Sequence, residues 1–114
     1  MQEIQTLQDL DAALSDSRGR PVLLFKHSTT CPISAFAHGQ VLDFARQAGD
    51  AAPPIYFVRV RESRPVSNEV ASRLGIVHQS PQLILIQNQQ PVWHVSHSSI
   101  EAQQIASALK KAAA

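Results

Sequence analysis

A single cysteine, and where it stands, constrain this chain more than any other feature. Cys31 comes shortly after the apolar run Val22-Leu23-Leu24-Phe25 and is followed at once by Pro32. Proline holds φ near the helical value and has no N–H, so the first turn of a helix accepts it without losing a hydrogen bond. With Pro32 as the first helical residue, Cys31 is the N-cap, and its sulfur faces the unpaired N–H groups of Ile33 and Ser34. That positive end of a helix favours a thiolate. A lone cysteine elsewhere is more often a small buried hydrophobe, but a strand that delivers a thiol to a helix start reads as a reactive site.

The chain of 114 residues has the size of one domain spanning 1–114. Its hydrophobic content of 44% and charged content of 17% fit a globular protein, and a formal net charge of +1 without a basic stripe excludes a nucleic-acid footprint. Runs such as Leu83-Ile84-Leu85-Ile86 are far too short to cross a bilayer, and no charged segment followed by an apolar one opens the chain. A cytoplasmic protein is expected. One cysteine rules out an intramolecular disulfide and a Cys-x-x-Cys couple, so redox chemistry must use a thiol from another molecule.

Residues 1–5 read as a short strand. Thr6 and Asp9 form a capping box, with Asp in place of Glu, for a helix that buries Leu7, Leu10 and Leu14 and exits through Asp16–Arg20. Val22–Lys26 has the near-continuous apolar character of a strand covered on both faces. From Pro32 the positions Ile33, Phe36, Ala37, Val41, Phe44 and Ala45 follow helical spacing up to Gly49, across an unfavourable Gly39. Ile55–Arg61 reads as a strand parallel to Val22–Lys26, since a helix supplies the crossover. Pro65 closes that strand, and Ser67 or Asn68 caps a short helix through Leu74 that ends at Gly75. Gln82–Gln87 and Gln90–Ser96 flank Asn88-Gln89 as a β-hairpin. Ser98 and Glu101 then make a capping box for a final helix that buries Ile105 and Leu109, with a tail from Ala112 to Ala114 that frays.

The order β-α-β-α-β-α-β-β-α is that of a thioredoxin-like α/β fold, three layers around a central mixed sheet. In such a fold the strand-to-helix junction displays the cysteine, and a proline before the hairpin lies beside it. Ser80-Pro81 occupies that place, and a cis bond there would leave the backbone edge of Ser80 free to pair with an extended peptide or a peptide-like thiol. Cys31 and Ser34 make a Cys-x-x-Ser pattern, in which serine cannot resolve a mixed disulfide. Ser34 then serves either as a hydrogen-bond donor to sulfur or simply as a polar residue of the first turn.

Four segments carry a more specific resemblance: Lys26-His27-Ser28-Thr29-Thr30-Cys31-Pro32-Ile33-Ser34, Arg64-Pro65-Val66-Ser67-Asn68, His78-Gln79-Ser80-Pro81-Gln82 and Trp93-His94-Val95-Ser96-His97. In this order, and over nearly the whole chain, the sequence resembles the monothiol bacilliredoxin family with its Thr-Cys-Pro-Ile-Ser motif. The resemblance implies a thioredoxin fold and removal of bacillithiol from S-bacillithiolated cytosolic proteins. It implies Cys31 as nucleophile and Pro81 as the cis proline; Thr30, Pro32, Ile33 and Ser34 are expected to stabilise the thiolate, and Ser80 with Pro81 to bind the substrate. Bacillithiol is then a thiol co-substrate, no cofactor is bound, and a second thiol or a reductase recycles the adduct.

The histidines number five and scatter over several elements, which gives no expected metal site. His27 could stabilise the thiolate as an imidazolium or simply face solvent at a strand end. His38 and His78 receive no catalytic role. Arg59, Arg61 and Arg64 are solvated charges around a strand end, of which Arg64 could meet a carboxylate of bacillithiol. Two other readings stay open: a monothiol iron–sulfur cluster carrier, although Pro32 and Ile33 replace the glycine and phenylalanine of the Cys-Gly-Phe-Ser pattern, and a non-enzymatic thioredoxin-like adaptor with an inert cysteine.

Overall fold

The computed structural model describes residues 1–113. Its elements in chain order are β1 (Gln2–Glu3), α1 (Leu7–Asp16), β2 (Val22–His27), α2 (Pro32–Ala48), β3 (Ile55–Arg59), α3 (Arg64–Leu74), β4 (Gln82–Gln87), β5 (Gln90–Ser96) and α4 (Ala102–Ala113). The five strands form one sheet in the order β1-β3-β2-β4-β5. β1 and β2 run parallel to β3, whereas β4 lies antiparallel to β2 and β5 antiparallel to β4, so the sheet is mixed.

Strand periodicity divides the core into two layers. Val22 and Leu24 point with Val58, Ile84 and Ile86 toward α1 and α3, where Leu10, Leu14, Val66 and Val70 meet them. Leu23 and Phe25 point with Leu83 and Leu85 toward α2 and α4, against Ala37, Val41, Phe44 and Ile105. β2 is therefore buried on both faces, which accounts for its unbroken apolar run. The resulting three-layer mixed α/β arrangement is the thioredoxin-like fold.

Several element ends follow the expected chemistry. The Thr6–Asp9 capping box is formed, with the Asp9 N–H donating to Thr6 Oγ1 at 3.0 Å. Gly75 ends α3 at φ 65°, a left-handed conformation that costs glycine little. Asn88 and Gln89 both have positive φ, the geometry of a tight two-residue hairpin turn, and Ser17, the C-cap of α1, holds them: its carbonyl accepts from Asn88 and its hydroxyl from Gln89.

Other boundaries differ for physical reasons. Strand β3 ends at Arg59, and Pro65 stands in the first turn of α3 instead of closing the strand, with Ser63 rather than Ser67 or Asn68 at the N-cap. A proline that ends a ladder also begins a helix well, and the turn at 60–63 lets it do the second. Ser98 and Glu101 do not form a capping box. Ser98 lies in a 3-10 turn, His97–Ser99, that buries Ile100, and the first N–H of α4, from Ala102, donates to Gln40 Oε1 on α2 at 3.0 Å. Ala108, with Ile105, carries the buried face of α4, while Leu109 is half-buried and Leu7 of α1 is exposed. α4 stays helical through Ala113 instead of fraying from Ala112, and Ala114 lies outside the described residues.

Candidate active site

Strand β2 ends in the sequence Lys26-His27, and a three-residue loop, Ser28–Thr30, carries the chain to Cys31. Cys31 is the N-cap of α2, with extended φ and ψ of −101° and 123°, and Pro32 opens the helix. Its carbonyl accepts from the Ala35 N–H at 3.0 Å and its own N–H donates to Ser28 O at 3.1 Å, so its backbone is held on both sides. The thiol is free and half-buried. Neither Ile33 nor Ser34 donates its N–H to another group among the described residues, which leaves two amides at the helix start beside the thiol.

Ser34 is wholly buried, and its oxygen is not bonded to the sulfur. Ser34 Oγ instead accepts the Ser28 N–H at 2.9 Å and lies 2.7 Å from His27 Nδ1. Of the two uses open to Ser34, donation to sulfur or a polar place in the first turn, the structure shows the second, as a clasp that folds the loop back onto the helix. His27 stacks on Phe25, with ring centroids 5.2 Å apart, and meets His38 at 5.0 Å with the two rings tilted by 40°. Burial, and secondarily the neighbouring His38, hold the His27 pKa below its ordinary value, outweighing an opposing effect of Glu62. The shift disfavours the imidazolium form of the ring. Thr30 Oγ1 accepts from Arg61 at 3.3 Å, and Thr29 donates to Glu62 at 3.4 Å. These four residues line a shallow depression on one side of the loop.

The proline loop reaches the same end of the sheet through the β2–β4 ladder. Lys26 is paired with Gln82, so Ser80 and Pro81 lie beside the end of the strand that leads to Cys31. The Ser80–Pro81 bond is cis. Among the described residues, neither the N–H nor the carbonyl of Ser80 joins a backbone hydrogen bond. Ile33 and Phe36, in the first turns of α2, and Val77, before the proline loop, are exposed apolar side chains at this end.

Two residues of the site carried no role in the sequence reading. Lys26 is wholly buried, and its Nζ lies 2.9 Å from His78 Nδ1. Burial lowers the Lys26 pKa to about 8. The available signal was a charge closing a strand covered on both faces. Among the arginines, Arg59 is taken by Glu3 at 2.5 Å and by Glu62, whereas Arg64 is exposed and close enough to His78 to affect its titration. No group of three or more His, Cys, Asp or Glu side chains among the described residues is placed to hold a metal ion.

The model of the family described as monothiol bacilliredoxin BrxC matches residues 2–105. The chain belongs to that family. Among solved structures, this bacilliredoxin-family chain is similar to a thioredoxin-fold protein provisionally described as an oxidoreductase, with 27% identity and a TM-score of 0.84 over 94% of this chain and 91% of the other. Fasciola hepatica thioredoxin superposes with a TM-score of 0.77 at 14% identity, over 97% and 98% of the two chains. Malassezia sympodialis thioredoxin gives 0.74 at 18%, over 100% and 91%. The last two establish the fold alone. Family and fold together make the chain a thioredoxin-like oxidoreductase of thiol chemistry, with Cys31 as its one cysteine.

Proposed function

We propose that this bacilliredoxin-family chain removes bacillithiol from S-bacillithiolated proteins of the cytoplasm. The observation that carries the reading is the coupling of a half-buried, unbonded thiol at a helix N-terminus with a serine, already engaged elsewhere, at the position where a dithiol enzyme has its second cysteine. The Cys31 thiolate attacks the bacillithiol sulfur of the mixed disulfide. The old S–S bond breaks, a Cys31–bacillithiol disulfide forms, and the client leaves as a thiolate, reduced as Cys31 is oxidised. Without a second cysteine the chain cannot close a disulfide on itself. A further bacillithiol, or a reductase, must release the adduct.

Ser80 supports client binding, since its unpaired backbone edge suits an extended segment, and Ile33, Phe36 and Val77 offer apolar contact around the thiol. Bacillithiol serves as co-substrate in this reading.

Mixing the reduced protein with a bacillithiolated client and weighing both by intact mass spectrometry tests the proposal. One bacillithiol should move to the wild type, and none to Cys31→Ala. Loss of the client adduct at the same rate with Cys31→Ala refutes it.

A further inference from the structure

Between Ile76 and Pro81 the chain passes from α3 to β4 with little backbone support. The Ile76 N–H donates to Ala71 O, and the Pro81 carbonyl accepts from His97. Among the described residues, Val77, His78, Gln79 and Ser80 join no backbone–backbone hydrogen bond, and the first three are exposed. A segment of this kind opens readily unless side chains hold it. It nevertheless leads straight into the cis Ser80–Pro81 bond and carries the free backbone edge of Ser80.

Two buried side chains hold it. Gln82 gives its amide N–H to Val77 O at 3.2 Å, and Lys26 Nζ lies 2.9 Å from His78 Nδ1. Lys26 and Gln82 are partners across the β2–β4 ladder, and both are buried. Alternation along β2 places Lys26 with Val22 and Leu24 on the face toward α1 and α3, whereas His27 turns to Ser34 and His38 on α2. The ties to Val77 and His78 therefore come from the far face of the sheet, separate from those that hold the Cys31 loop. A charged ammonium can only donate, so His78 Nδ1 accepts from Lys26. Burial first, and then Lys26 and Arg64, lower the His78 pKa and so favour the neutral ring that can accept.

Lys26 is a poor residue for packing alone. The ion pairs among the described residues are all made by arginines, so no carboxylate answers its charge, and burial lowers its pKa to about 8. An uncompensated buried cation is unfavourable beside an apolar side chain of similar size. What Lys26 adds that methionine would not is the bond to His78. The geometry points to Lys26 and Gln82 as positioning residues for the protein client: by holding His78 and Val77 from the far face of the sheet, they keep the backbone edge of Ser80 preorganised for pairing with an extended client segment. This rests on the proposed transfer from protein clients and adds to it the residues that set the proline loop. A small disulfide has no strand to pair and does not need them.

Single-turnover transfer from a bacillithiolated client, followed against client concentration, gives a half-saturating concentration and a limiting rate. Lys26→Met, Gln82→Met and His78→Leu should each raise the half-saturating concentration about fivefold, the scale of one net hydrogen bond, and leave the limiting rate unchanged. His78→Asn, whose Oδ1 can accept in place of Nδ1, should keep the wild-type value. The probe hydroxyethyl disulfide is small and neutral: Cys31 attacks one of its sulfurs, the probe S–S bond breaks, a Cys31–probe disulfide forms, and the other half leaves as a thiolate. That rate constant should be the same in every variant. Lys26→Met should also withstand urea near neutral pH at least as well as the wild type, so that client affinity falls without loss of stability, a combination that a purely structural role does not give. An unchanged half-saturating concentration in Lys26→Met and His78→Leu overturns the assignment, as does a limiting rate or probe rate that falls in parallel with client affinity. A wild type that reacts with the probe but takes no bacillithiol from the client overturns the transfer reading, and this assignment with it.

Discussion

Ser34 Oγ stands 2.7 Å from His27 Nδ1, and the same oxygen accepts the Ser28 N–H at 2.9 Å. One hydroxyl therefore joins the end of β2, the loop before Cys31 and the first turn of α2. The residue that replaces a resolving cysteine has become the fastening of the site. Ser34→Ala should cost about 1–3 kcal/mol, because it leaves a backbone N–H and a ring nitrogen without their partner. Urea unfolding measures that loss. The rate constant of Cys31 with hydroxyethyl disulfide should change little, and a large fall would return Ser34 to direct contact with the sulfur.

Lys26 makes stability depend on pH above neutrality. Its pKa is lowered by burial from 10.5 to about 8, so between these values the unfolded chain holds more protons than the folded one. Stability then rises with pH through that window, and the burial penalty is fully felt below about pH 8. Lys26→Met should remove this rise. Urea unfolding of both proteins below, within and above the window should show curves that diverge most at its lower end.

His27 acts in the same direction, but at acid pH. Burial, aided by His38, lowers its folded pKa below 6.5, so the unfolded chain binds the proton more readily as pH falls through that value. Stability should decline on acidification, and His27→Phe, which keeps the stack on Phe25, should flatten the decline. Thermal melts at descending pH measure it. Equal slopes in the two proteins would remove His27 as the source.

Client recognition should depend on apolar contact that small disulfides do not need. Ile33 is 49% and Phe36 62% exposed in the first turns of α2. The double change Ile33→Ser with Phe36→Ser should slow transfer from a bacillithiolated protein by about tenfold or more, as expected if a partner buries even part of these side chains. Its rate with hydroxyethyl disulfide should match the wild type. Equal slowing of both reactions would point to damage at the thiol instead.

The Thr6 cap offers a test remote from the site. Thr6→Ala deletes the hydroxyl that accepts the Asp9 N–H and should lower stability by about 1 kcal/mol, with no change in exchange. Denaturant titration reads the first effect and probe kinetics the second.

Much of this architecture was legible in local sequence because its causes are local. The apolar run of β2, Pro32 after Cys31, the Thr6–Asp9 box and Asn88-Gln89 each specify their element through a periodicity, a fixed φ or a short-range hydrogen bond. Where a residue has two local uses, the choice was not local. Pro65 can end a strand or begin a helix, and packing of Val66 and Val70 against the sheet selected the helix. Ser98 and Glu101 spell a capping box, but burial of Ile100 drew Ser98 into a 3-10 turn and left Gln40, on another helix, to satisfy the first amide.

The sequence by itself determined that one thiol stands at a strand-to-helix junction with no partner cysteine, since chain order and composition decide both. Only the tertiary structure decided what surrounds that thiol. His27 and Ser34 are separated by the loop and a helical turn, and Lys26 and His78 by nearly half the chain, yet each pair is in contact. Hydrogen bonds and burial between elements depend on sheet register and helix packing, so the lowered proton affinities of His27 and Lys26 exist only once the chain has folded.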